Sequence, residues 1–194
     1  MHDIEPHFNW RDRYVASKDE RSPFYGRVYD EFKFTTKVYN YFIHPQWDAF
    51  GSATLYMKII FVDYEDGYAI FEMIGEWNDA LGNDIMFLKR EIADSLALYG
   101  IHKYIVICEN VLNFHGDDDD YYQEWYEDVA EYDGWICFMN TLDHVEEEMR
   151  ATRIQHYVNL GADFNQFNWR KLKPKAFCKA MDLLVNGEEP LLLQ

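Results

Sequence analysis

The sequence predicts a mixed α/β fold in which a mixed β-sheet is covered by helices and preceded by an antiparallel β-meander. Two patterns carry this prediction. The first third of the chain holds aromatic and β-branched runs with partial alternation, which is typical of strands. After Gly75, short apolar runs alternate with segments of helical periodicity, which indicates a sheet covered on at least one face. With 194 residues, 48% of them apolar and 18% aromatic, the chain can form a sizeable core and is not a disordered protein.

The meander is predicted from four runs of strand-forming residues. Two lie at 28–34 and 37–43, and a third, longer run covers 54–64. Asp66-Gly67 then supplies the positive φ angles that a tight hairpin turn needs, so a return strand is expected over 68–74. These runs predict antiparallel pairing between neighbours.

The remaining elements follow from periodicity and from helix-end signals. A helix over 85–99 is expected because its apolar residues recur at spacings of three and four and Gly100 follows it. The pair Asp143 and Glu146 has the spacing of a helix cap, and Pro174 suits a first helical position. The other predicted elements are a strand at 103–108, a helix at 120–132, a strand at 135–139, a helix from 143 to 161 and a helix from 174 to 185.

Between residues 61 and 164, element order and two short motifs resemble the STAS domain of anti-sigma-factor antagonists. The first motif is Gly75-Glu76-Trp77-Asn78-Asp79, at the end of a strand, and the second is the stretch 113–119, before a helix. The resemblance implies a STAS-like sheet and a regulatory role in binding a protein. The family's phosphorylatable serine falls on Asp117 or Asp118 here, so a phosphorylation switch of that kind cannot operate.

With this resemblance, the chain divides into three expected parts. Residues 1–52 form an N-terminal extension whose two strands pack on the main domain. Residues 53–165 form the STAS-like α/β domain, and residues 166–194 form a C-terminal helix and tail.

Charge and composition exclude several classes of function. The net charge is −17 and the isoelectric point is near 4.6, so neither nucleic acid nor an anionic membrane is an expected partner. No apolar run is long enough to span a bilayer, and the start of the chain lacks the pattern of a signal peptide. The three cysteines show no CxxC spacing, which favours reduced, buried thiols and a cytoplasmic location.

The acidic segment before the predicted helix at 120–132 is the leading candidate for a binding site. Residues 104–149 contain no Lys or Arg and 14 acidic residues. We expect the acidic residues to select a protein partner with a basic face, and the rings that follow them to supply contact area. Among these rings, Tyr122 and Tyr126 are expected to be exposed. The candidate binding residues are His115, Asp117, Asp118, Asp119, Tyr122, Trp125 and Tyr126.

Other interpretations of the same residues stay open. Clustered carboxylates suit a divalent cation, so His115, Asp117 and Asp119 could form the metal site of a small hydrolase or lyase. A simpler interpretation is that the Asp residues cap the following helix and complement its dipole. A third is a structural homodimer, since five basic residues within 170–179 could pair with the acidic region either within one subunit or across a dimer. No cofactor is expected, because the common phosphate-binding and nucleophile motifs are missing, and the chain is more simply a binding module than an enzyme.

Overall fold

The computed structural model describes residues 4–188 and residue 190. The first three positions of the expected N-terminal extension, together with positions 189 and 191–194 of the expected C-terminal tail, lie outside the described residues. Within the described part, no helix combines the length and the apolar character needed to cross a membrane.

Four strands form the main sheet, in the spatial order β3-β4-β5-β6, and two short strands form a separate hairpin. Strands β3 and β4 are antiparallel, whereas β4 with β5 and β5 with β6 are parallel. The mixed sheet predicted from the sequence is therefore confirmed. The strands are β1 (Lys37–Val38), β2 (Tyr41–Phe42), β3 (Leu55–Asp63), β4 (Tyr68–Asn78), β5 (Lys103–His115) and β6 (Trp135–Met139).

The hairpin of β3 and β4 forms where the turn signal predicted it. Asp63 pairs with Tyr68, and Gly67 in the turn has a φ of 73°. At the other end of the hairpin, Gly75 has a φ of 125°, and a Cβ there would lie 2.1 Å from the carbonyl oxygen of Thr54. A side chain at position 75 would therefore clash with the neighbouring backbone, which is why glycine ends this part of the hairpin.

Helices connect the parallel strands and cover both faces. Asn78 starts the first of them, since its side chain accepts a hydrogen bond from the backbone N–H of Leu81. Helices α2 and α3 are joined by a π-helical segment, Leu88–Ala93. The helices are α1 (Asp79–Gly82), α2 (Asp84–Phe87), α3 (Asp94–Ala97), α4 (Asp120–Ala130), α5 (Asp143–Ala151), α6 (Ala162–Asn165) and α7 (Pro174–Val185).

The two faces of the sheet carry separate cores. On the first face, α2 to α5 pack against buried strand residues such as Phe71 and Val106. On the second face, Ile70 and Ile105 lie under α7 and under rings from the N-terminal and C-terminal segments. Because both faces are covered, the parallel strands are apolar along most of their length, as the sequence pattern indicated.

The N-terminal extension is held against the main sheet by long-range contacts. Asp48 forms an antiparallel bridge with Met57 of β3. The indole N–H of Trp47 donates to the carbonyl oxygen of Ile4 at 2.7 Å. Trp47 also packs in a small apolar cluster with Val38 of β1 and Ile74 of β4. These contacts bring the β1–β2 hairpin against the second face of the sheet.

Two predicted elements are divided in the structure. The run at 37–43 forms two strands, β1 and β2, which pair with each other across a turn and lie outside the main sheet. The predicted helix at 85–99 is interrupted by the π-helical segment Leu88–Ala93 and ends at Ala97.

Three further predicted elements differ from the structure. No strand forms at 28–34, where the side chains of Val28 and Phe32 are 95% exposed and find no apolar surface to pack on. The predicted strand at 103–108 continues as far as His115, because β4 offers a partner along almost its whole length. The predicted helix at 143–161 stops at Ala151, and Arg153 follows with a φ of 64°.

The predicted cap of α5 is also wrong. Leu142 occupies the N-cap position, and no side chain there bonds to the helix. Glu146 instead bonds to Arg150 one turn later and accepts a hydrogen bond from the amide of Asn165. Glu146 therefore ties α5 to the α6 segment instead of capping its own helix.

Candidate functional site at the carboxyl ends of β4 and β5

Strands β4 and β5 run in the same direction and end side by side, with Asn78 opposite His115. In open α/β sheets, ligands commonly bind beyond the carboxyl ends of parallel strands, because the connecting loops diverge there. We call the exposed and half-exposed residues at the ends of these strands, in the loop after β5 and bonded to them, the upper corner. It consists of Tyr39, Glu76, Leu112, Asn113, His115, Asp117 and Asp118.

Side-chain hydrogen bonds connect the centre of the upper corner. The Nε2 atom of His115 lies 2.8 Å from the Oε1 atom of Glu76, and about half of the His115 side chain is exposed. Glu76 pairs with Asn113 across the two strands. The side-chain amide of Asn113 donates to the hydroxyl oxygen of Tyr39 at 2.7 Å. These bonds hold one ring of the N-terminal extension beside the ends of the central strands.

Tyr39 is a site residue that the sequence did not single out. It lies in the turn between β1 and β2 with a φ of 52°, and its side chain is half exposed. A non-glycine residue with positive φ in a tight turn is uncommon, but nothing in the local sequence indicates that this turn reaches the end of β5. Only the long-range packing of the extension reveals the contact.

The four consecutive Asp residues at 117–120 differ in their surroundings, since three are exposed and one pairs with an arginine. Asp117, Asp118 and Asp120 are exposed. Asp119 is half-buried, and its Oδ1 atom lies 3.7 Å from the guanidinium of Arg153. Asp119 occupies the N-cap position of α4 without a side-chain bond to the helix, so the capping interpretation does not apply to it. Asp117 and Asp118 thus keep their carboxylates in solvent.

Two of the predicted contact rings are not at the surface. Tyr122 and Trp125 are buried, which corrects the expectation that they form part of an exposed face. The reason is helical geometry, because residues 122, 125 and 129 lie on the side of α4 that packs on the sheet. Tyr126, four residues after Tyr122, lies at the edge of this side, is 42% exposed and packs against the ring of Tyr157. Of the predicted rings of α4, Tyr126 is the one that solvent reaches well.

Asp79 lies beneath the upper corner and fixes its geometry. Its carboxylate accepts hydrogen bonds from the indole N–H of Trp77, the backbone N–H of Ile85 and the hydroxyl of Tyr122, at 2.9, 2.8 and 2.7 Å. Burial raises the pKa of Asp79 to about 6, although these donors work in the opposite direction. Asp84, nearby, accepts from the backbone N–H of Asn78 at 2.8 Å, and burial raises its pKa as well. Both carboxylates position the end of β4 and are not open to a substrate.

The alternative metal site is not formed. His115 bonds to Glu76, and Asp119 pairs with Arg153, so the proposed ligands His115, Asp117 and Asp119 are not brought together. Over residues 4–188 and 190, no group of three or more His, Cys, Asp or Glu side chains is arranged to hold a metal ion. The arrangement at the upper corner supports charge recognition and hydrogen bonding.

Comparisons with known proteins give a likeness of fold only. No protein-family model matches the chain, and no curated protein is significantly similar to it. Among solved structures, it is similar to a putative anti-sigma factor antagonist from Thermotoga maritima, with 13% identity and a TM-score of 0.39. That likeness covers 53% of this chain and 81% of the other. A similarity of this strength assigns neither a partner nor an activity.

Proposed function

We propose that this protein is a binding module that recognises a protein partner with a basic face through the upper corner. The observation that supports the proposal most directly is the exposure of Asp117 and Asp118 in the loop that follows β5. The last residues of β5 carry an exposed apolar side chain, Leu112, and hold the half-exposed ring of Tyr39 through Asn113. Acidic groups beside apolar contact area are the chemistry expected of a surface that binds a positively charged partner. The free, buried thiols of the chain agree with the proposed cytoplasmic location.

Each group has a distinct role in this proposal. The two free carboxylates attract the basic face and orient it during encounter, an effect that salt weakens. Tyr39 and Leu112 lose solvent contact when the partner docks and contribute most of the apolar area. The side chains of His115 and Glu76 are already held by the bond between them, so binding of a partner requires little further ordering of side chains.

Charge reversal at the corner tests the proposal. The variant Asp117→Lys/Asp118→Lys is compared with Glu65→Lys/Asp66→Lys, which changes the charge equally at the turn that begins β4, about 35 Å away along the strand. Each full-length protein is immobilised, incubated with cell extract at low salt and washed, and the retained proteins are quantified by mass spectrometry. Tyr39→Asn is a third variant, which removes the ring while Asn tolerates the positive φ.

We expect the wild type and the Glu65→Lys/Asp66→Lys variant (the turn variant) to retain a set of basic proteins. The Asp117→Lys/Asp118→Lys variant (the corner variant) should not retain them. The same proteins should elute as salt is raised and should be retained more weakly by Tyr39→Asn. Equal retention by the corner variant and the wild type would refute the proposal. Light scattering of the purified wild type tests the self-association alternative, since a dimer that dissociates on Asp117→Lys/Asp118→Lys would identify a second copy as the partner.

A further inference from the structure

A second concave site lies at the opposite end of α4, about 16 Å along the helix from the upper corner. It is an open groove between the end of α3, the end of α4 and the segment that leads into β5, and its volume is about 360 Å³. We call it the lower groove. Its lining includes Asp94, Leu98, Trp125, Asp128, Glu131 and Tyr132. This volume falls within the usual range for small-molecule sites.

Aromatic and aliphatic side chains form the walls of the lower groove. Trp125 lies against Tyr104 with ring centroids 5.0 Å apart, and both rings line the groove. At the rim, Leu98 is 85% exposed and Tyr132 is 67% exposed. Large apolar side chains left this open beside a cavity provide contact area for an apolar group.

The charge of the lower groove is negative. Asp94 and Asp128 both contact the buried ammonium group of Lys89, as does Glu124. The guanidinium of Arg90 also pairs with Asp94 and Glu124, so these three carboxylates are matched by two cations. Glu131 adds a further carboxylate at the exposed end of α4. Helices α3 and α4 both end at the groove, so the negative ends of their dipoles face the same space.

We propose that the lower groove binds a small organic cation, an amine, amidine or guanidine attached to an apolar group. The exposed side chains of Leu98 and Tyr132 favour the apolar body, while the carboxylates and the two helix ends complement the charge of the cation. Anions are disfavoured by the same field. The site is separate from the upper corner and does not depend on the function proposed for it.

Three probes of nearly the same shape but different charge distinguish the contribution of charge to binding from the contribution of shape. Benzamidine is a cation, benzamide is neutral and benzoate is an anion. Each is titrated into the ¹⁵N-labelled full-length protein, and the indole N–H signal of Trp125 and the backbone signals of the groove are followed by NMR. Glu131→Gln removes the carboxylate at the groove, and Glu127→Gln removes one from the exposed side of the same helix as the matched control.

We expect benzamidine to shift the groove signals, benzamide to bind at least about ten-fold more weakly, and benzoate to leave them unchanged. Glu131→Gln should weaken benzamidine binding about two- to five-fold, as for one partly exposed charge, and Glu127→Gln should leave it unchanged. Ala97→Phe, at the exposed mouth of the groove, should block binding while the spectrum stays folded. Equal binding of benzamidine and benzamide, shifts that map elsewhere, or identical effects of the two Glu variants would overturn the proposal.

Discussion

The hydrogen bond from Tyr122 to Asp79 offers a quantitative test of how the upper corner is supported. Tyr122 has no solvent exposure, and its hydroxyl donates to the buried Asp79 carboxylate at 2.7 Å. In Tyr122→Phe the ring stays in place and only this donor is lost. A hydrogen bond to a charged buried group contributes about 1.5–3 kcal/mol, so we expect the free energy of unfolding to fall by that amount at pH 8.

The loss should depend on pH in a defined direction. The pKa of Asp79 is about 6 in the folded protein, above its ordinary value of 3.8, so its burial costs stability progressively as the pH rises between those values. Tyr122 lowers this pKa, and removing it raises the pKa further and extends the window upward. At pH 5 the folded carboxyl is mostly protonated and the lost bond is a neutral one. The destabilisation should therefore be about 1 kcal/mol smaller at pH 5 than at pH 8.

Urea unfolding followed by circular dichroism at the two pH values measures both quantities. Tyr126→Phe is the matched control, because the side chain of Tyr126 lies one turn further along the same helix and is 42% exposed, so the free energy of unfolding of this variant should change by less than about 0.5 kcal/mol. A Tyr122→Phe loss below about 0.5 kcal/mol at pH 8, or an equal loss at both pH values, would refute the role assigned to Asp79.

Two further predictions concern stability. Burial raises the pKa of Glu72 to about 7 from an ordinary 4.5, so ionisation of its carboxyl costs stability as the pH rises through that range. In urea unfolding, Glu72→Gln should therefore stabilise the protein by about 2 kcal/mol more at pH 8 than at pH 5.5. A stability difference that does not change with pH would contradict this prediction. Gly75→Ala should destabilise the protein by more than about 2 kcal/mol, because its Cβ would meet the Thr54 carbonyl. Gly161→Ala is the control: its φ of 131° is close to the 125° of Gly75, but its Cβ would meet only the end of the flexible Arg150 side chain, so it should cost about 1 kcal/mol less. Equal melting temperatures for the two variants would refute the steric argument.

Many of the strands and helices could be predicted from the sequence, because the residues that mark them lie within each element or next to it in the chain. The Asp66-Gly67 turn, the apolar run at 135–139 and Pro174 at the start of α7 each mark an element that forms where it was expected. Strand β5 was predicted too short, since the polar residues after Cys108 conceal a strand that is stabilised by pairing with β4. Pairing with a distant segment is not encoded in the periodicity of either strand.

The candidate site was predictable only in part. The acidic residues were found from their number, and the structure leaves Asp117 and Asp118 exposed. The rings were misassigned, because four aromatic residues within six positions give α4 two plausible apolar faces. The face that turns inward carries Tyr122, Trp125 and Val129, and the Asp79 carboxylate that binds Tyr122 also accepts from two other elements. Tyr39 was missed because it is 74 residues from its partner Asn113.

The contact between Tyr39 and Asn113 has a consequence for dissecting this protein into fragments. A fragment starting at residue 53, the predicted boundary of the STAS-like domain, would retain the carboxylates of the upper corner and would lose its aromatic half. It would also uncover Ile74 and the upper part of the second face of the sheet, where the extension now packs. Deleting the extension thus removes the ring proposed to contact a partner and also exposes apolar residues of the sheet, so loss of binding by such a fragment would not distinguish the two effects.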